Sequence, residues 1–279
     1  MSLVVSVTLD SRTRGGVGCG LASCFGAALD WPLAEYLERE RAGTADTLAT
    51  TLMDEGDADK EFSLAAGEWN AMRAELLRGP EVVSVLVAVP ETDRPAVHVM
   101  SSSILVKRPN AEVQILLGGE DEERSADAAF CRSVVEFLIT ALDPVNPAFG
   151  RVCAGEPVTP KANLDAALKR KLCTSVAEAR QSLRGYAWVT VCPAELTDAL
   201  GGVDALKKSG AFHRVAPLTS GGTVLQATET LAAFSNEALR RTFHALAPVL
   251  PPGVPCFNPA AAYVRFVPED AGRFADRRQ

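Results

Sequence analysis

Residues 185–202 read GYAWVTVCPAELTDALGG and contain a strand pattern followed directly by a helix pattern. Tyr186 to Cys192 is rich in aromatic and β-branched residues, which favour strands. Pro193 closes this run because it has no amide hydrogen to donate to a sheet. Apolar residues then recur at helical spacing from Leu196 to Leu206, where Gly201-Gly202 bends or interrupts the helix. The stretch therefore predicts a strand followed by either a helix-turn-helix corner or a kinked helix.

The same succession of elements continues towards the C-terminus. Ser220-Gly221-Gly222 separates two strand-like runs, Phe212 to Leu218 and Thr223 to Thr228. Its glycine pair supplies the positive φ angles of a tight hairpin. Ser235 is the expected N-cap of a following helix, which a Pro-Pro-Gly sequence ends. The predicted order is strand, helix, hairpin and helix.

These residues also carry a resemblance. Tyr186-Ala187-Trp188-Val189-Thr190-Val191, Leu200-Gly201-Gly202 and Leu225-Gln226-Ala227-Thr228 together resemble bacterial families classed among immunity proteins of contact-dependent and type VI secretion toxin systems. The resemblance covers residues 185–253. It implies a small cytosolic protein that binds and neutralises a toxin domain, and it brings no catalytic residues with it. The glycine-rich start of the chain has no counterpart in this pattern.

The first half of the chain predicts a similar mixture of strands and helices. A strand at Leu3 to Leu9 comes first, and three more should form a meander before a helix that carries Phe130 to Leu142. One or two helices, broken near Gly43, are expected between Trp31 and Met53, and another between Phe62 and Leu77. The meander strands are Val82 to Val89, Val97 to Val106 and Glu112 to Leu117.

The fold class that follows is α+β, with two related halves that each consist of an antiparallel sheet packed with helices. The halves are 1–152 and 161–279, joined by a linker near 153–160, with one continuous domain as the alternative. The segments Phe137 to Pro147 and Phe243 to Pro251 are similar, which is compatible with a duplication and equally with two independent helix ends. Two further elements are expected, a basic helix from Lys161 to Leu183 and a last strand at Tyr263 to Val267.

The amino-acid composition restricts the kinds of molecule that this chain is expected to bind. The chain has 279 residues, a net charge of −7 and a pI near 5.2. Nonspecific nucleic-acid binding depends on Lys and Arg displacing counterions, so we expect no nucleic-acid partner. An acidic surface would instead complement a basic protein such as a toxin domain. With no long apolar run we expect no membrane partner, and seven scattered cysteines without metal or redox spacing are typical of the reducing cytoplasm.

Two hypotheses for a site remain open. For neither of them does the sequence indicate catalytic residues, a metal site or a cofactor. The first, which we favour, is a non-catalytic protein-binding surface made of two acidic segments and an exposed aromatic residue. The second is a small-molecule or nucleotide-binding enzyme or sensor that uses the glycine-rich loop 15–20, although its spacing fits neither common phosphate-binding fingerprint. The residues of the first are Asp54, Glu55, Asp57, Asp59, Glu120, Asp121, Glu122, Glu123 and Trp188; those of the second are Arg12, Arg14, Gly16, Gly18, Gly20 and Cys24.

Overall fold

The computed structural model describes residues 2–43, 47–53, 59–88, 96–104, 109–118, 121–155, 162–257 and 265–277. Within these residues the chain has the predicted α+β architecture. Its strands form one ten-stranded sheet in the order β3-β2-β4-β5-β6-β1-β7-β8-β10-β9, in which all neighbours are antiparallel. The strands are β1 (Ser2–Leu9), β2 (Thr47–Met53), β3 (Lys60–Glu61), β4 (Val82–Ala88), β5 (Val97–Ser102), β6 (Ala111–Leu117), β7 (Phe149–Gly155), β8 (Val189–Cys192), β9 (Arg214–Pro217) and β10 (Thr223–Gln226).

Helices cover part of this sheet and its ends. Their bounds are α1 (Gly16–Asp30), α2 (Ala34–Arg41), α3 (Trp69–Leu76), α4 (Asp121–Ala126), α5 (Ala128–Leu142), α6 (Asn163–Ala167), α7 (Leu172–Ala177), α8 (Ala194–Ala199), α9 (Gly202–Lys208) and α10 (Asn236–Leu246). The two longest, α1 and α5, pack against each other. Ser235 caps α10 as predicted, because its side chain accepts a hydrogen bond from the amide of Ala238.

The predicted meander is confirmed, and its side chains alternate between two environments. Along β4 the side chains of Val83, Val85 and Val87 are buried, whereas those of Val82 and Leu86 are only partly covered. Such alternation follows from the two-residue period of a strand, which sends successive side chains to opposite faces. One face of the sheet therefore belongs to the hydrophobic core. The hairpin of β9 and β10 is also confirmed.

Strand β7 joins the two predicted halves within the sheet. It pairs with β1 on one side and with β8 on the other, so strands from 1–152 and from 161–279 are continuous in one sheet. The sequence did not indicate this strand. Of the residues near 153–160 that the sequence predicts as a linker, residues 153–155 are the end of β7. Residues 156–160 lie outside the described part of the chain.

The structure corrects three other local predictions. Thr47–Met53 is a strand that pairs along its length with β4, although its leucines fit a helical spacing. The helix predicted from Phe62 begins only at Trp69. The basic helix from Lys161 to Leu183 is divided into α6 and α7 by Lys169, whose φ of 56° a continuous helix does not allow. The last predicted strand lies mostly outside the described residues, and residues 265–267 are not in a strand.

A buried ionic network ties the later segments to the central strands. The guanidinium of Arg184 is fully buried and donates hydrogen bonds to Thr8 Oγ1 at 2.5 Å and to Ser175 Oγ at 3.0 Å. It also lies 3.4 Å from a carboxylate oxygen of Asp165 and 3.5 Å from one of Glu112. Because Thr8 and Glu112 are on β1 and β6, this cation holds residues 165–184 against the middle of the sheet.

Candidate functional site

A cavity of about 410 Å³ lies at the end of the central strands. Leu3 pairs with Leu117 of β6 and with Ala154 of β7, so three adjacent strands bring small and aliphatic side chains to one wall. The other walls come from α4 and α5, from the segment before β8, and from the residues around the start of α10. Buried apolar residues form the floor, namely Leu3, Leu117, Tyr186, Trp188, Phe234 and Leu239.

Hydrogen bonds fix two aromatic side chains of this floor. The indole N–H of Trp188 donates to the carbonyl oxygen of Thr228 at 2.9 Å. The hydroxyl oxygen of Tyr186 accepts a hydrogen bond from the amide of Val267 at 2.7 Å. Buried tryptophan and tyrosine rings are fixed in position when their polar atoms form hydrogen bonds. This part of the floor is therefore preformed.

The rim of the cavity carries two exposed arginines. Arg124 lies over the ring of Phe130 at 5.6 Å and donates to the carbonyl oxygen of Gly118 at 2.7 Å. Arg265 lies over the ring of Phe234 at 5.1 Å and donates to the Phe234 carbonyl oxygen and to Asn236 Oδ1. Within the described part of the chain neither guanidinium forms an ion pair with a carboxylate, and the described lining contains no acidic side chain.

The second surface feature is the outer face of strands β2, β4, β5 and β6, which we call the open face. The register brings eight side chains into two rows across these strands, and each of the eight is partly or fully exposed. None of them is charged. The rows are Ala49, Leu86, His98, Leu116 and Thr51, Ser84, Met100, Gln114.

One polar contact lies on the open face. Ser84 Oγ and His98 Nε2 are 2.8 Å apart, and burial lowers the pKa of the imidazole below its ordinary value. The neutral ring is therefore favoured, which keeps the open face uncharged near neutral pH.

The glycine-rich segment is a helix rather than the predicted loop. Gly16, Gly18 and Gly20 belong to α1, and two of them permit close packing. A Cβ atom on Gly18 would lie 2.3 Å from the carbonyl oxygen of Leu77, and one on Gly20 would lie 2.8 Å from Leu9 Cδ1. Gly18 and Gly20 therefore face protein atoms, and residues 16–20 are helical where the sequence predicts a flexible loop.

The polar anchors predicted for that loop do not converge. Cys24 is buried in α1, and burial raises the pKa of its thiol to about 12, so it is neither accessible nor ionised. Arg14 is exposed. Arg12 donates to Glu195 Oε1 at 3.1 Å, which turns it away from the glycines towards α8.

Arg12 belongs to a cluster centred on Arg180. The guanidinium of Arg180 donates to both carboxylate oxygens of Asp10, each at 2.8 Å, and to both oxygens of Glu195. It also donates to the carbonyl oxygen of Asn146. Burial alone would raise the pKa of Asp10. The hydrogen bonds and charge of Arg180 act in the opposite direction, and the net pKa lies below the ordinary value.

This cluster predicts a specific pH dependence. A carboxyl group whose pKa is depressed by folding stabilises the folded state above its unfolded pKa of about 4, and that stability is lost as the pH falls through the folded pKa. We expect Asp10→Asn to lower the free energy of unfolding at pH 7 and the deficit to shrink below about pH 4. Urea unfolding across this range measures it, with the exposed Asp198→Asn as the control. If Asp10→Asn lowers the free energy of unfolding equally at neutral and acidic pH, the depressed pKa of Asp10 does not contribute to stability.

The structure describes only part of the set of predicted protein-binding residues. Asp54, Glu55, Asp57 and Glu120 lie outside the described residues, and Asp121 and Glu122 are described only as the start of α4. Asp59 and Glu123 are exposed. The register shows that Met53 and Leu117 are at opposite ends of the sheet, since Met53 pairs with Val82 at the far end from Val97 and Leu117. The described residues that precede the two acidic segments, Met53 and Leu117, therefore lie at opposite ends of the paired strands.

Trp188 was predicted as an exposed aromatic and is instead fully buried. It contributes to the cavity and not to an outer surface. The other cavity residues were not indicated by the sequence, because they come from separate segments around residues 3, 124–130, 154, 186–188, 231–239 and 265. The open face has one sequence signal, the uncharged alternate positions of the meander strands.

Further features bear on the class of site. Among the residues that the structure describes, no group of three or more His, Cys, Asp or Glu side chains is placed to hold a metal ion. All seven cysteines are free thiols. No single described helix has both the length and the apolar composition of a membrane span, and only Gly16–Asp30 and Ala34–Arg41 taken together, with a 64° bend between them, reach those limits.

Comparison with solved structures gives a match to the whole fold. The Pseudomonas aeruginosa T6SS protein PA0821 aligns with 99% of this chain over 81% of its own length, with a TM-score of 0.55 and 16% sequence identity. Because the identity is only 16%, this similarity shows a shared fold alone. No family model matches the sequence. No curated protein matches it either.

Proposed function

We propose that this chain is a non-catalytic binding protein of a type VI secretion system, which acts as an immunity protein by binding a toxin domain. The open face is the observation that supports this role most directly. Protein interfaces are depleted in charged residues at their centre and enriched in apolar ones, and Leu86, Met100 and Leu116 supply such a centre. Partly exposed apolar side chains within two uncharged rows on a sheet face are typical of a surface that a partner covers.

Two further observations favour the same proposal. The structural neighbour is a T6SS protein of Pseudomonas aeruginosa, which supplies the secretion-system context. The resemblance of residues 185–253 to immunity families supplies the role. The net charge of −7 suits a basic toxin, and exposed carboxylates such as Asp59 and Glu123 would accelerate its approach.

The experiment pairs this chain with its candidate targets. Each type VI effector domain of the source bacterium is expressed in a susceptible host with and without the chain, and growth is measured. We expect the chain to restore growth against one toxin and to bind that purified domain in calorimetry. If every toxin kills equally in the presence of the chain, the immunity role is wrong.

A pair of substitutions tests the open face itself. Leu86→Arg with Leu116→Arg places two charges in one row of this face, and we expect binding of the toxin to weaken about thirtyfold or more, the scale of an interface hot spot. Leu77→Arg is the matched control because Leu77 is 42% exposed and lies at the end of α3. A double variant that binds as tightly as the control variant would place the interface elsewhere. Circular dichroism of both variants checks that the fold is retained.

A further inference from the structure

We infer that the cavity at the end of β1, β6 and β7 binds a fatty acid of medium chain length, with its alkyl chain on the apolar floor and its carboxylate at the arginine rim. This inference is independent of the proposed immunity role. Its basis is the separation of the cavity into an apolar floor and a cationic rim.

The floor is suited to an apolar chain. Its side chains are buried, and Trp188 and Tyr186 are held by hydrogen bonds to backbone groups of other segments. A volume of about 410 Å³ falls within the range of about 300–1,000 Å³ that is usual for small-molecule sites. Burial of an alkyl chain on this surface supplies the main free energy of binding.

The rim is suited to an anionic head group. Arg124 and Arg265 both border the cavity, and each guanidinium lies over a phenylalanine ring of the same wall. Neighbouring segments hold them, because the amide of Ala232 donates to the carbonyl oxygen of Ser125 at 2.9 Å. Within the described residues neither Arg124 nor Arg265 forms an ion pair with a carboxylate, so both guanidinium groups are able to pair with an anionic head group at the mouth.

The charge of the ligand follows from these arginines. A guanidinium presents two parallel donors that match the two oxygens of a carboxylate. A cationic or neutral amphiphile of the same length would fill the floor equally well but would gain nothing at the rim. The proposal therefore predicts selectivity by head group as well as binding.

The test compares three amphiphiles of equal chain length, each below its critical micelle concentration. Calorimetry and thermal unfolding are measured with laurate, dodecanol and dodecyltrimethylammonium. We expect laurate to bind and to raise the Tm, and the cation to bind at least about tenfold more weakly. Absence of binding by octanoate, decanoate and laurate would overturn the proposal, as would equal affinity for laurate and the cation.

Two sets of variants assign the parts of the site. Arg124→Gln with Arg265→Gln, both at exposed positions, should weaken laurate binding about tenfold or more, while Arg78→Gln on the surface beyond α3 should leave it unchanged. Ala154→Phe should block the floor and abolish binding, and its Tm without ligand shows whether it folds. Undiminished laurate affinity in the double glutamine variant would remove the arginines from the site and overturn the proposal.

Discussion

Substitution of Arg184 by methionine is expected to lower the free energy of unfolding by about 3–5 kcal/mol, the usual cost of removing one partner from a buried ion pair. The side chain is fully buried and lies within 3.5 Å of carboxylate oxygens of both Asp165 and Glu112. Without the cation, the Glu112 carboxylate still accepts a hydrogen bond from the hydroxyl of Thr8 at 2.8 Å, but it loses the opposite charge that Arg184 supplies. The loss is a large part of the stability of about 5–15 kcal/mol that ordinary domains have.

Urea unfolding measures this change, and Arg214→Met is the matched control. Arg214 forms an ion pair with Glu136 at 2.6 Å, but both side chains are substantially exposed. Exposed pairs contribute about 0–1 kcal/mol, so we expect the control to remain close to the parent. If Arg184→Met does not fold, Arg184→Lys, which keeps the charge but not the forked donors, gives the measurement. Equal stability of the Arg184 and Arg214 variants would show that the network is not what joins these segments.

Substitution of Gly18 by alanine is expected to destabilise the protein by about 1–3 kcal/mol or more, as overpacking of a tight contact does. In an exposed helix the same change would stabilise by about 1 kcal/mol because alanine has the higher helix propensity. Here the new Cβ would lie 2.3 Å from the Leu77 carbonyl oxygen and 2.7 Å from its carbonyl carbon. Backbone must move, so the expected sign is reversed.

Gly26→Ala on the same helix is the control. Its nearest neighbour would be a ring carbon of Trp69 at 3.3 Å, a contact that a small side-chain shift relieves. We expect its thermal midpoint to stay within a few degrees of the parent, since a change of about 1 kcal/mol moves the Tm by about 2–4 °C in a chain of this size. A Gly18→Ala variant as stable as the Gly26→Ala variant would mean that α1 and the end of α3 are not in the described contact.

The candidate sites were only partly accessible to sequence reasoning. The open face follows from alternation within β4, β5 and β6, and the positions that form it can be read from the meander. The cavity could not be found in this way, because Arg124, Trp188 and Arg265 are far apart in the chain and meet only through the packing of the sheet ends. Trp188 shows the difficulty, since an aromatic residue before a strand is equally compatible with a surface and with a buried wall.

What the sequence by itself determined was local. The strands of the meander, the Ser220-Gly221-Gly222 hairpin and the cap at Ser235 follow from side-chain period, glycine conformation and a short hydrogen bond. Tertiary structure alone decided that Thr47–Met53 is a strand, that Phe149–Gly155 joins the halves in one sheet, and that the glycines after β1 belong to a helix. The physical reason is that pairing with a neighbouring strand, or contact with a carbonyl such as that of Leu77, depends on residues distant in sequence, and these contacts outweigh intrinsic preferences of about 1 kcal/mol per residue.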